Sequence, residues 1–233
     1  MKDYTELEEK IGYRFKDRKL LETAFTHTTY VFEHHMGHYM SNQRLEYIGD
    51  AVCDLVIGRK LYELRPEADE GFLSKTRSII VCERSFAEVG RKLDFPEYLL
   101  LGKGERQTGG ASKDSTIADA FEALIAAIYF DGGMDEASRV ILSVLDETIK
   151  LAADGKLFLD YKSRLYEIAQ QKNNQHLIRF EVLDERGPAH MREFEVAVYA
   201  DDRLLARSCG KSKKDAEQKC AQAALSVYEE LFC

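Results

Sequence analysis

What the chain lacks narrows the field first. No stretch approaches the roughly 20 consecutive apolar residues needed to cross a bilayer. The opening MKDYTELEEKIGYRF carries acids where a secretion signal would carry an apolar block. The expectation is a soluble, cytoplasmic protein with no membrane partner. Cysteine is sparse: Cys53, Cys82, Cys209, Cys220 and Cys233 are scattered, odd in number and form no C-x-x-C pair. That argues for reduced thiols and against a cysteine zinc site. His27, His34, His35 and His38 cluster in HTTYVFEHHMGHY, yet their spacing matches no zinc pattern, so they read as loop and packing residues. An excess of positive charge is missing too. The net charge of −8 argues against a generic nucleic-acid coat.

Its distribution says more. Residues 1–157 hold 21 basic and 28 acidic side chains, and residues 158–233 hold 12 and 13, with the positive charges bunched. A chain of 233 residues with 45% apolar content is comfortable as two domains, each with a core. Proline, glycine and strand signals are sparse up to residue 150, which predicts an all-α first domain. Leu7, Ile11 and Phe15 open a helical period that Leu20, Leu21 and Phe25 continue. A helix over 43–64 ends before Pro66, and residues 72–93 give two more segments. The stretch from Gly102 to Gly110 lacks the G-x-x-x-x-G-K-[ST] order and has no strand before it. It reads as a mobile loop able to touch a polyanion, and no nucleotide cofactor is expected. A last helix is predicted over about 134–150.

Two stretches carry chemistry. In NQRLEYIGDAVCDLV, Asn42–Val56, the side chains of Gln43, Glu46 and Asp50 are spaced three and four apart and share one helical face. Leu45, Ile48, Val52 and Val56 form a separate apolar stripe, Asn42 is a candidate cap, and Gly49 suits close approach of another helix or backbone. Taken alone, Glu46 and Asp50 read most simply as a solvated face. The second stretch, Ser115–Phe130, is strongly apolar, with Asp119 and Glu122 three apart as its only acids. Two acids in such a helix are unfavourable unless paired or bound to metal.

Residues 152–158 read as a linker, and beyond it the periods change. Lys162–Gln171 is predicted as a helix, with strands over Leu177–Leu183, Glu193–Ala200 and Arg203–Ser208 and a helix over Ser212–Leu231. This is α-β-β-β-α. Ser212 and Asp215 make a capping box at the start of the last helix, where Lys211, Lys213 and Lys214 flank exposed N–H groups. The cluster reads as a phosphate site or as a merely solubilised helix end. With no aromatic platform, the domain suits a duplex backbone better than single strands.

These residues carry two resemblances. Residues 160–231 resemble a double-stranded RNA-binding domain, through Gly187-Pro188-Ala189-His190 and the run Gly210–Gln218. That resemblance implies His190 in a minor groove and Lys211, Lys213 and Lys214 on phosphates. Tyr166 stands where many bacterial members have Gln, and Ser208 where glycine is common. NQRLEYIGDAV at 42–52, EGFLSKTRS at 70–78 and ADAFEALIAAIYFDGG at 118–133 resemble the bacterial ribonuclease III catalytic domain. The implied domains are 1–151 for the endonuclease, 152–158 for the linker and 159–233 for RNA binding.

The resemblance implies a homodimeric endoribonuclease that cuts both strands of double-stranded RNA, leaving 5′-phosphate and 3′-hydroxyl ends with short 3′ overhangs. Processing of rRNA, mRNA and other structured precursors follows as an expectation. Glu46, Asp50, Asp119 and Glu122 match the family's metal-binding acids, with Mg²⁺ as cofactor and Mn²⁺ as a substitute. Gln43 stands where the family usually has Glu, and an amide adds no negative charge. Glu70 matches a further acid, and Tyr47 and Ile48 match the dimer interface, although periodicity alone fits a core role as well. The rival expectation is a duplex-RNA-binding protein whose catalytically weakened nuclease domain only dimerises.

Overall fold

One almost wholly enclosed helix is the axis of the first part of the chain. The computed structural model describes residues 2–157, 160–170, 176–188 and 192–232. Two compact units divide as Met1–Leu157 and Phe158–Cys233. The first is built of α1 (Thr5–Ile11), α2 (Arg18–Ala24), α3 (Thr28–Glu33), α4 (Gln43–Leu64), α5 (Glu70–Ile80), α6 (Glu83–Lys92), α7 (Phe95–Tyr98), α8 (Lys103–Gln107), α9 (Asp114–Gly132), α10 (Met134–Val144) and α11 (Asp146–Ala153). Eleven of the 19 residues of α9 are buried, among them Ile117, Phe121, Leu124 and Ile128. It packs against α2, α4, α6 and α10, which is why its sequence is apolar nearly all round.

The longest helix, α4, lies along α9, seated by Leu45, Val52, Val56, Ile57 and Leu61. It stops at Leu64, ahead of Pro66, and Asp69 then opens α5 by accepting the Phe72 N–H at 2.8 Å. At Gly49 the two long helices nearly touch. A Cβ there would stand 1.8 Å from the carbonyl oxygen of Glu122. The glycine lets α9 come closer than any side chain would allow, as its place in a helix suggested.

Several expectations need correction. Asn42 does not cap α4 through its side chain. Its backbone is already helical (φ −67, ψ −16), and its N–H donates to the Thr26 carbonyl at 2.8 Å. The Gly102–Gly110 stretch is not a loose loop, for it contains α8 and a 3₁₀ turn at Gly110–Ser112. Two of its glycines serve packing: a Cβ on Gly102 would meet the Thr29 carbonyl at 2.8 Å, and one on Gly110 the Glu105 carbonyl at 2.7 Å. The helix expected over 134–150 breaks at Leu145 into α10 and α11. Ala152 and Ala153 belong to α11 and are buried in the first core, so the linker expected from residue 152 starts beyond them. Both alanines are strong helix formers, and their burial in the first core carries α11 through them.

The second unit has α12 (Tyr161–Ala169), β1 (Ile178–Arg186), β2 (Glu193–Ala200), β3 (Arg203–Gly210) and α13 (Lys213–Phe232). The sheet is antiparallel in the order β1-β2-β3, with irregularities at Val182/Asp184 and Val198/Tyr199. Val196 and Val198 from β2 meet Leu165 and Ile168 of α12 and Ala216, Cys220 and Ala224 of α13 in one core. The alternation of β2 thus puts Phe194, Val196 and Val198 on the helix side. The α-β-β-β-α order is the one expected.

Candidate active site and nucleic-acid interface

Because α4 and α9 cross at Gly49, acids from both helices are brought together. Carboxylate oxygens of Glu46, Asp119 and Glu122 all lie within 4.8 Å of one another, on half-buried side chains. Like charges this close raise one another's affinity for protons. The Glu122 carboxyl is pushed up to about 8, first by burial and then by the charges of Asp50, Glu46, Asp119 and Asp54. Glu46 is raised by burial and by Asp119 and Asp50, and Asp119 by burial and Glu83. The same field, with burial foremost, raises the thiol of Cys53 behind them.

A divalent cation fits this donor set. All three donors are hard carboxylate oxygens, the type preferred by Mg²⁺ and Mn²⁺. Adjacent ligands of Mg²⁺ stand about 3 Å apart and opposite ones about 4.2 Å, so the three carboxylates would draw together around one ion. Asp50 is exposed and lies outside that trio, though its charge acts on Glu122 and Glu46. The structure therefore brings together three of the four sequence-predicted metal acids and leaves the fourth at the rim.

Other candidates lie further out. Gln43 is exposed at the first turn of α4, where it lines a surface groove of about 630 Å³ with Arg44, Tyr47, Ile48 and Phe130. Tyr47 is 76% exposed, which removes it from the core, while Ile48 is partly packed against it. Glu70 is exposed at the start of α5 and accepts the Ser74 hydroxyl at 2.8 Å. Two acids were missed. Asp54 follows Asp50 by four residues, a signal the i+4 count already contained. Glu83 opens α6 and has no local signal linking it to Asp119.

The second unit presents its lysines on an ordered scaffold. The Asp215 N–H donates to Ser212 Oγ at 3.1 Å, and the Lys211 N–H donates to the Asp215 carboxylate at 3.0 Å. The reciprocal cap thus forms at the start of α13, one residue wider than the usual box. Lys211, Lys213 and Lys214 are exposed around it. Gln218 clamps α12 to α13: its amide donates to Asp160 at 2.7 Å, and its carbonyl accepts the Tyr161 N–H at 2.8 Å. The Gln218 amide, and then the N–H and hydroxyl of Ser163, hold the Asp160 carboxyl down at about 2. Tyr166 is half-buried with its ring 6.1 Å from that of Phe180, so much of it belongs to packing. His190 lies outside the described residues.

Comparison with known proteins gives the same division. A ribonuclease-III-like family model matches residues 17–149, and a double-stranded RNA binding motif matches residues 161–228. Ribonuclease 3 of Caldanaerobacter subterraneus subsp. tengcongensis is 45% identical over 222 residues, covering 95% of this chain and 96% of its own. Ribonuclease 3 of Listeria monocytogenes is 39% identical over 229 residues, covering 97% and 98%. The crystal structure of the ribonuclease III nuclease domain from Campylobacter jejuni is 36% identical with a TM-score of 0.58, covering 64% of this chain and 97% of that one. With both halves matched in order and relatives aligned over nearly their full length, the chain belongs to the ribonuclease III family.

Proposed function

We propose that this chain is a divalent-metal-dependent endoribonuclease that cuts double-stranded RNA as a homodimer. rRNA and other structured precursors are its substrates, and the products carry 5′-phosphate and 3′-hydroxyl ends with short 3′ overhangs. One observation carries the reading: acids from two helices, brought into contact at Gly49, place three half-buried carboxylates within 4.8 Å of one another. Glu46, Asp119 and Glu122 would hold the ion, and Asp50 would add its negative charge beside them. When bound, Mg²⁺ or Mn²⁺ offsets negative charge at the scissile phosphate and lowers the pKa of an attacking water.

The protein's own contribution is placement. Burial of α9 fixes Asp119 and Glu122, and seating of α4 fixes Glu46, so little reorganisation accompanies RNA entry. Glu122 sheds its proton before it can ligate, which ties activity to pH. Gln43 adjoins the groove without adding charge and hydrogen-bonds a water or an RNA hydroxyl. Glu70, exposed at the start of α5, would contact RNA or a metal-bound water. Lys211, Lys213 and Lys214 hold phosphates from the second unit, with His190 in a minor groove and Tyr166 contributing mainly packing. Tyr47, exposed on α4 beside Ile48, forms the dimer contact.

The test is incubation of long duplex RNA with the purified protein in Mg²⁺ or in EDTA. Cleavage confined to Mg²⁺ is expected. Tight binding without cuts under both conditions would favour the non-cleaving scaffold that Gln43 brings to mind, and Gln43→Glu in the same assay isolates that residue.

A further inference from the structure

The acidic stripe of α4 does not stop at Asp50. Asp54 lies one turn further on, and its charge is among those acting on both Glu122 and Cys53. Unlike Glu46 and Asp50, it has a cation of its own: Arg77 of α5 approaches with Nε 3.5 Å from Asp54 Oδ1, both side chains about 40% exposed. The stem of Arg77 lies across Gly58, where an added Cβ would stand 3.7 Å from its Cδ. Among the described residues, this ion pair joins the acidic face of α4 to a neighbouring helix.

We infer that Asp54 and Arg77 form a balanced charge pair that sets the electrostatic potential at the metal acids, making both of them positioning residues for the cation. The inference rests on the metal reading above. Asp54 is ~6 Å along the axis from Asp50 and ~12 Å from Glu46, since each residue rises 1.5 Å. A unit charge ~10 Å from a divalent ion changes its affinity about fourfold even at the dielectric of water. Paired, Arg77 offsets part of the field that Asp54 exerts on the acids. Unpaired, each acts with its own sign. A pair that served packing alone would shift both variants the same way, through lost stability.

The experiment measures Mn²⁺ binding to the full-length protein without RNA, by electron paramagnetic resonance of the free ion at low salt, where screening is weakest. Wild type, Arg77→Gln, Asp54→Asn, the double variant and Glu122→Gln are compared. Arg77→Gln is expected to tighten Mn²⁺ binding about fourfold, Asp54→Asn to weaken it about fourfold, and the double variant to return near wild type. Shifts of the same sign, or none, in Arg77→Gln and Asp54→Asn overturn the inference. If Arg77→Gln fails to fold, Asp54→Asn against wild type still decides, since an unchanged or tightened Mn²⁺ affinity there overturns the inference. Loss of binding in Glu122→Gln alongside unmoved pair variants sinks this inference only. No Mn²⁺ binding by wild type, or none lost in Glu122→Gln, sinks the metal reading itself.

Discussion

Gly49→Ala is a single-methyl test of how the site is assembled. In a generic exposed helix the change stabilises by about 1 kcal/mol, because Ala forms helix more readily than Gly. Here the new Cβ would fall 1.8 Å from the Glu122 carbonyl oxygen and 2.4 Å from its carbon. Non-bonded carbon and oxygen rest at about 3.3 Å, so α4 and α9 must part by roughly 1.5 Å. Overpacking of this kind costs about 1–3 kcal/mol, which leaves a net loss of about 0–2 after the propensity gain. Stability is therefore a weak readout. The separation acts directly between Glu46 and Glu122, and a misplacement of about 1 Å at reacting groups lowers rate by about 100-fold. Single-turnover cleavage of duplex RNA at saturating Mg²⁺ should fall by that order, with RNA binding nearly unchanged. A variant about 1 kcal/mol more stable and fully active would refute the helix-contact account.

Three further expectations concern the acid cluster and the second unit. The raised Glu122 carboxyl means the folded, metal-free protein binds more protons than the unfolded chain between pH ~4.5 and about 8. Its stability therefore falls as pH rises through that window; urea titrations at pH 5 and 8 should show the fall, with Mg²⁺ reversing it and Glu122→Gln flattening it. Replacing Lys213 and Lys214 together with Ala should weaken binding to all duplex sequences alike and reduce the salt slope by about 0.9 per lost phosphate contact. An unchanged slope removes them from the backbone contacts. Asp160→Ala removes the α12 cap and the Gln218 clamp, costing the second unit about 1–2 kcal/mol by thermal unfolding, and a silent variant would show that water replaces both bonds.

The sequence showed most where periodicity and side-chain chemistry agreed. Pro66 marks the end of α4, and Asp119 with Glu122 stand out because nothing else in α9 is charged near them. Other features are decided by tertiary contacts. Asn42 has the right chemistry for a cap, but Thr26 takes its N–H as the chain enters α4 already helical. Gly102 and Gly110 look like flexibility in composition and are instead sites of close backbone approach. The break at Leu145 carries no Gly or Pro to announce it. Glu83 meets Asp119 only because α6 packs on α9, a juxtaposition 36 residues apart in sequence that no local pattern contains.

The enclosure of α9 has a consequence for the order of events at the site. A helix carrying two acids into a core needs compensating burial, and Ile117, Phe121, Leu124, Ile125 and Ile128 supply it on the remaining faces. The acids are thus held in place by apolar packing before any ion arrives, and their mutual repulsion is stored as a raised proton affinity rather than relieved by moving apart. Cation binding must displace that proton, so the gain in folding stability on adding Mg²⁺ should grow from pH 6 to pH 8 as deprotonation becomes easier. A site formed only on binding would show almost no such growth between pH 6 and pH 8, because acids that spread apart are already ionised there. The contact at Gly49 is what separates the two cases, because it denies α4 and α9 the room to slide.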